Sequence, residues 1–173
     1  IDFLNRMNKS LSDYQGPFPI PILSMVGEID TLLNDRPAIE AEELFRKNLE
    51  EKRLIFSKNG DLFNTDGPNR SDLKVIMKNN GRVAFECSTG EQKALLVSII
   101  LANLSLLPLR KNRTRILLLD EVVAHLDKGR RSFLFDRLFQ INTQVWITGT
   151  DKNIFSSLGD KVQHFTVENS MIS

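Results

Sequence analysis

The chain is short of several things, and each scarcity narrows what it can be. It has a single cysteine, Cys87, which excludes an internal disulfide framework and a zinc site built on a cysteine cluster. A reducing, cytoplasmic setting is the expectation that follows. No apolar run approaches the ~20 residues that cross a bilayer, and the opening has none of the order of a secretion signal. There is no excess of charge: the formal net charge is +1, which neither argues for nucleic acid nor excludes a local basic face. The two histidines, His125 and His164, make no metal site. No glycine begins the pattern G-x-x-x-x-G-K-[S/T], so the usual phosphate-holding loop is missing from these residues.

What is present suffices for one real core. The 173 residues are 41% hydrophobic and 26% charged, which fits one domain, or one domain with an appendage. "IDFLNRMNKSLSDY" spaces Phe3, Leu4, Met7 and Leu11 as a helix does, until Pro17, Pro19 and Pro21 forbid it. "RPAIEAEELFRKNLEEKRLIF" predicts a helix with Pro37 in its first turn and an apolar stripe of Ile39, Leu44, Phe45 and Leu49. In "LKVIMKNNGRVAFEC", Asn80-Gly81 between two strand-like runs predicts a hairpin. From there the chain turns α/β. "STGEQKALLVSIILANLSLL" predicts a buried helix, "RILLL" a buried strand, "KGRRSFLFDRLFQI" a helix and "TQVWITGTD" a second buried strand. Strand, helix, strand at this spacing implies a parallel pair. The tail, "KVQHFTVENSMIS", predicts an edge hairpin.

The chemistry concentrates where "RILLL" meets Asp120 and Glu121. Ligands gather at the carboxyl ends of parallel strands, and an aspartate there can hold magnesium directly or through water. The adjacent glutamate can orient or deprotonate an attacking water. Strand-terminal acids that merely begin a solvated loop are the plainer alternative. In "STGEQ", Ser88 and Glu91 have the spacing of a capping box, yet Gly90 is costly in a first turn. A glycine beside a helix amino terminus makes an anion seat, to which Ser88 could add a hydroxyl. Cap and phosphate seat are compatible. "TGTD", Thr148 to Asp151, could sense a phosphate or could be a plain turn. The basic runs "LRKNRTR" and "KGRR" could meet phosphates, although without interleaved aromatics they also read as solvated loops.

The order of these pieces resembles the second half of an ABC-type ATPase head: "STGEQ" as signature motif, "ILLLDE" as Walker B strand and "AHLD" as D-loop. "GPNRSDL", "GEQKALL" and "QVWITGTD" make the chain similar to the RecF family of bacterial DNA replication and repair proteins, with Asn69 where that family commonly has histidine. The resemblance implies an α/β fold, part of a P-loop ATPase head with a mostly parallel sheet. Residues 55–173 would form the head, and residues 1–54 the returning part of a helical arm. With no Walker A loop and Ile1 first, the expectation is a carboxy-terminal piece, inactive by itself.

The resemblance also implies roles. Asp120 would coordinate magnesium and Glu121 would activate water. Ser88, Gly90 and Gln92 would contact the γ-phosphate of ATP held by a second copy, Asp127 would lie at the dimer interface, and Thr150 would stand near the place of the switch histidine. ATP and Mg2+ are the implied cofactors. The implied partners are single-stranded and gapped duplex DNA, a second copy of the chain, and RecO- and RecR-type mediators, with no membrane. Two rivals remain at this point: the head of another SMC-like ABC ATPase, and a dimerisation or DNA-holding module without turnover.

Overall fold

The structure, a computed structural model of the chain, describes residues 2–59, 70–107, 115–141, 143–168 and 170–172. The order is α1 (Asp2–Ser12), β1 (Pro21–Val26), α2 (Glu28–Asp35), α3 (Ala38–Asn59), β2 (Asp72–Met77), α4 (Thr89–Leu106), β3 (Ile116–Leu119), α5 (Lys128–Gln140), β4 (Gln144–Ile147), β5 (Val167–Glu168) and β6 (Met171–Ile172). Short 3-10 segments occupy Ala84–Glu86, Val123–His125 and, with a kink at Gly159, Lys152–Lys161. No helix among the described residues is long and apolar enough to cross a membrane.

Helix α4 is the centre of the molecule because its sequence is apolar on nearly all sides. Ala94, Val97 and Leu101 join the largest core with Leu119, Val123, Leu134 and Ile154. Ala102 packs with Met7, Leu11 and Leu23, and Leu95 with Met77 and Cys87. The one buried polar side chain of this helix, Ser98, donates its hydroxyl to the Pro19 carbonyl at 2.7 Å, so its burial costs little. Cys87 is the small apolar filler expected of it.

Strands β3 and β4 pair in parallel, Ile116 with Gln144 through Leu119 with Ile147, and α5 is the crossover. Their inward residues Leu117, Leu119, Val145 and Ile147 meet the main core. The outward residues are not covered as a buried-strand reading expects. Ile116 is 63% exposed, Leu118 72% and Trp146 47%, with Trp146 stacked on Phe165 at 5.8 Å. The tail forms the antiparallel hairpin β5–β6.

The second pairing differs from the sequence expectation. β2 does not fold back on residues 83–87, where only a bridge between Ile76 and Val83 forms before the chain winds into a 3-10 turn. Its partner is β1, antiparallel, from Pro21 opposite Met77 to Val26 opposite Asp72. The prolines that forbid helix do not forbid this strand, because Pro21 sits at its first residue. Asn8 of α1 then clasps β1, donating to the Leu23 carbonyl and accepting from the Leu23 N–H, each at 2.8 Å.

Residues 2–26 thus share a core with α4, across the boundary expected at residue 54, whereas α2 and α3 pack chiefly on each other. Lys52 of α3 reaches Glu28 of α2 at 2.8 Å. Along α3 the buried stripe is Ala41 and Phe45, and Ile39, expected in it, is 77% exposed. Phe3 of α1 is likewise exposed.

Candidate functional site

Leu117 and Leu119 tie β3 to the core, and the buried Val122, Val123 and Leu126 return the chain to it after the acid pair. Asp120 and Glu121 are therefore held between two anchored segments. Asp120 is exposed and Glu121 is half-buried, with its backbone in the left-handed region at φ 53°. A non-glycine residue adopts that conformation only when its surroundings compel it.

Thr148, the residue that follows β4, bonds to both acids. Thr148 extends the ladder, its N–H donating to the Leu119 carbonyl at 3.0 Å. Its hydroxyl donates to Asp120 Oδ1 at 2.5 Å and accepts from the Glu121 N–H at 3.1 Å. The sequence pattern marks this residue only as the start of "TGTD" and gives an individual role to Thr150 instead. Thr150 is exposed, and its hydroxyl has no bond to the acid pair among the described residues. The legible signal was a hydroxyl at the end of the neighbouring parallel strand, level with the acids.

The oxygen donors suit magnesium, which prefers carboxylate, phosphate and water. No group of three or more His, Cys, Asp or Glu side chains gathers as a metal cage among the described residues. One carboxylate beside a hydroxyl fits a cation held mainly by waters and substrate phosphates.

Ser88 caps a different element. It is the N-cap of α4, and its hydroxyl donates to Glu91 Oε2 at 2.9 Å and accepts from the Glu91 N–H at 3.4 Å. Its own N–H donates to the same carboxylate at 2.8 Å, closing the capping box. These hydrogen bonds from Ser88, backbone first and hydroxyl second, hold the Glu91 carboxyl below its ordinary range, with Arg82 and Arg130 adding to the effect. Ser88 is exposed, and a side chain built onto Gly90 would meet nothing within 4 Å. Gln92 turns its side-chain N–H back to the Cys87 carbonyl at 3.0 Å, leaving its amide oxygen free to accept. Ser88, Gly90 and Gln92 are thus together at the amino end of α4, and none of them bonds to Asp120 or Glu121 among the described residues.

Asp127 is the N-cap of α5, accepting from the Arg130 N–H at 2.9 Å. That bond is the main reason its carboxyl lies below the ordinary range, and the Arg130 guanidinium assists. Arg130 also donates to the Pro17 carbonyl at 3.1 Å and lines a cavity of about 640 Å³ with Glu91 and Lys78. Of the basic runs, Arg110, Lys111 and Arg113 lie outside the described residues. Arg115 donates to the Leu104 carbonyl at 3.0 Å, closing the end of α4. Gly67, Pro68 and Asn69 also lie outside the described residues. His125 and His164 are exposed and well apart in the fold's order, one after β3 and one after the last 3-10 segment.

With this geometry in view, the comparisons with known proteins are specific. No protein-family model matches the chain. It is 43% identical over 157 residues to the DNA replication and repair protein RecF of Rhizobium rhizogenes, covering 91% of this chain and 41% of that one. The RecF of Mesorhizobium japonicum gives the same figures, and that of Rhizobium etli is 40% identical over 172 residues, 99% of this chain and 45% of the relative. This chain is homologous to part of RecF. A solved structure of the recombination mediator protein RecF-ATPrS in the RecFOR pathway overlays 99% of the chain and 44% of its own at a TM-score of 0.64, with 20% sequence identity. The α/β fold is therefore that of part of RecF, and the RecF-type chain spans less than half the length of the curated relatives it matches.

Proposed function

We propose that the chain supplies the Walker B, signature and D-loop parts of a RecF-type, ATP-dependent DNA replication and repair protein working in the cytoplasm. The observation that carries this reading is a division of labour. The acid pair is locked to the end of the parallel strands, while Ser88 and Gly90 stand on an exposed helix terminus with open space above the glycine.

In this reading Asp120 holds Mg2+, which when bound neutralises charge on the ATP phosphates. Glu121 takes a proton from water as the water oxygen bonds to the γ-phosphorus and the bond to ADP breaks, releasing ADP and phosphate. The first-turn N–H groups of α4 and Ser88 would face the γ-phosphate region of ATP held by a second copy, with the second hydrogen of the Gln92 side-chain NH2 as a further donor. Asp127 lies at the contact between copies, and Thr150 stands near the place of the switch histidine. A polypeptide carrying a phosphate loop covers the outer face of β3 and β4, and α2 with α3 forms the arm portion. The relatives' name supports a role in DNA replication and repair, and the solved neighbour's description supports a nucleotide and a recombination pathway. The substrate would be single-stranded and gapped duplex DNA, with RecO- and RecR-type mediators as partners.

The test is Glu121→Gln in a RecF-length protein containing this chain. The amide keeps the shape and removes the basicity, so ATP binds, hydrolysis slows by about 10²-fold or more, and ATP-bound dimers accumulate on a sizing column. Unchanged turnover removes Glu121 from its role. Pairing on ATP with no turnover in the wild type favours the non-hydrolysing DNA-holding module instead.

A further inference from the structure

Thr148 makes three hydrogen bonds to three successive residues, Leu119, Asp120 and Glu121. Its single hydroxyl proton goes to Asp120 Oδ1, and a lone pair of the same oxygen receives the Glu121 N–H. Threonine suits this double use better than serine, since its γ-methyl restricts χ1 and keeps the hydroxyl aimed. The segment after it is close-packed: a side chain at Gly149 would meet the Phe155 ring at 3.1 Å, and Asp151 accepts from the Asn153 N–H at 2.9 Å.

We infer that Thr148 is the positioning residue of the acid pair, orienting the Asp120 carboxylate toward its cation and holding Glu121 in its left-handed conformation. This rests on the ATPase reading. With Oδ1 occupied by the threonine hydroxyl, Asp120 offers Oδ2 to a metal or to its water. The Glu121 N–H is engaged, whereas its carboxylate has no hydrogen-bond partner among the described residues. The hydroxyl acts on the reaction through these two residues and does not itself touch substrate.

The experiment compares Thr148→Val, Thr148→Ala, Thr148→Ser and Asp120→Asn in the RecF-length protein. Two quantities are read. One is hydrogen exchange of the Glu121 amide without nucleotide, and the other is the Mg2+ concentration for half-maximal ATP turnover. The second does not depend on the folded fraction. Valine keeps the shape and removes both hydroxyl bonds, so the Glu121 amide exchanges faster and half-saturating Mg2+ rises about 10- to 100-fold, as when a ligand's orienting partner is lost. Serine restores both readings to within about threefold. If valine does not fold, alanine carries the same test. Wild-type Mg2+ dependence and amide protection in valine or alanine, with turnover lost in Asp120→Asn, overturns the role of Thr148 and leaves the ATPase reading standing. Turnover unaffected in Asp120→Asn overturns that reading, and this inference with it.

Discussion

Gly90 is a position at which, on the proposed reading, stability and function should pull in opposite directions. It sits in the first turn of α4, where glycine is about 0.5–1 kcal/mol worse than alanine, and a methyl group there has open space around it. For the chain by itself Gly90→Ala should therefore raise the melting midpoint by a few degrees. On the proposed reading the same methyl intrudes where a second copy's γ-phosphate must approach the helix, so ATP-driven pairing is lost. Melting curves and sizing with ATP read the two effects separately. A variant that melts higher and still pairs would remove Gly90 from the site. Gly90, Ser88, Asp120 and Glu121 could be singled out in the sequence because each lies beside a long apolar run, that of α4 or of β3. Thr148 was visible only as the start of "TGTD"; its bond to Asp120 was not, because that partner lies 28 residues away on the neighbouring strand.

Two helix caps carry the ionisable chemistry of the elements. Glu91 closes the box on α4 and Asp127 caps α5, and backbone hydrogen bonds, from the Ser88 N–H to Glu91 and from the Arg130 N–H to Asp127, favour the charged form of each. A carboxyl held below its ordinary range in the folded state contributes stability that is fully present above that range. The contribution is lost as pH falls through the lowered value. Glu91→Gln keeps the reach of the side chain without its charge. The melting difference between wild type and this variant should be steady from neutral pH down to about 5 and should shrink below about 4. A difference that grows on acidification contradicts the assignment. Most elements were readable from period and caps: α1, α3, α4, α5 and the parallel pair. β1 was not, because three prolines mask a strand whose only first-residue proline is tolerated. The hairpin at Asn80-Gly81 was over-read for a related reason. A turn signal is local, whereas the pairing of β2 with β1 joins segments some fifty residues apart, and no local pattern encodes it.

At the scale of the molecule, the outer face of β3 and β4 is the feature the sequence could not disclose. A run such as "ILLL" does not say whether both faces find cover within the same chain. Parallel sheets are ordinarily buried on both faces, yet here Ile116, Leu118 and Trp146 stand outward, and Asp120 follows them on the same side by the alternation of the strand. Whatever covers this face must pass next to the acid pair. On the proposed reading that is where a phosphate loop is needed, and the relatives have more than half their length beyond the part matched here. Trp146 is the only tryptophan, so it reports on the face without added label. In the 173-residue chain its emission should be that of a partly exposed indole, open to quenching by acrylamide. In a RecF-length protein the emission should move to shorter wavelength and the quenching should fall. Leu118→Glu should cost the 173-residue chain no more than about 0.5 kcal/mol, since its side chain is already in water. In the longer protein the same change buries an unpaired carboxylate and should cost several kcal/mol. If Trp146 is equally quenched in both proteins and Leu118→Glu is equally harmless, the phosphate loop arrives by some other face.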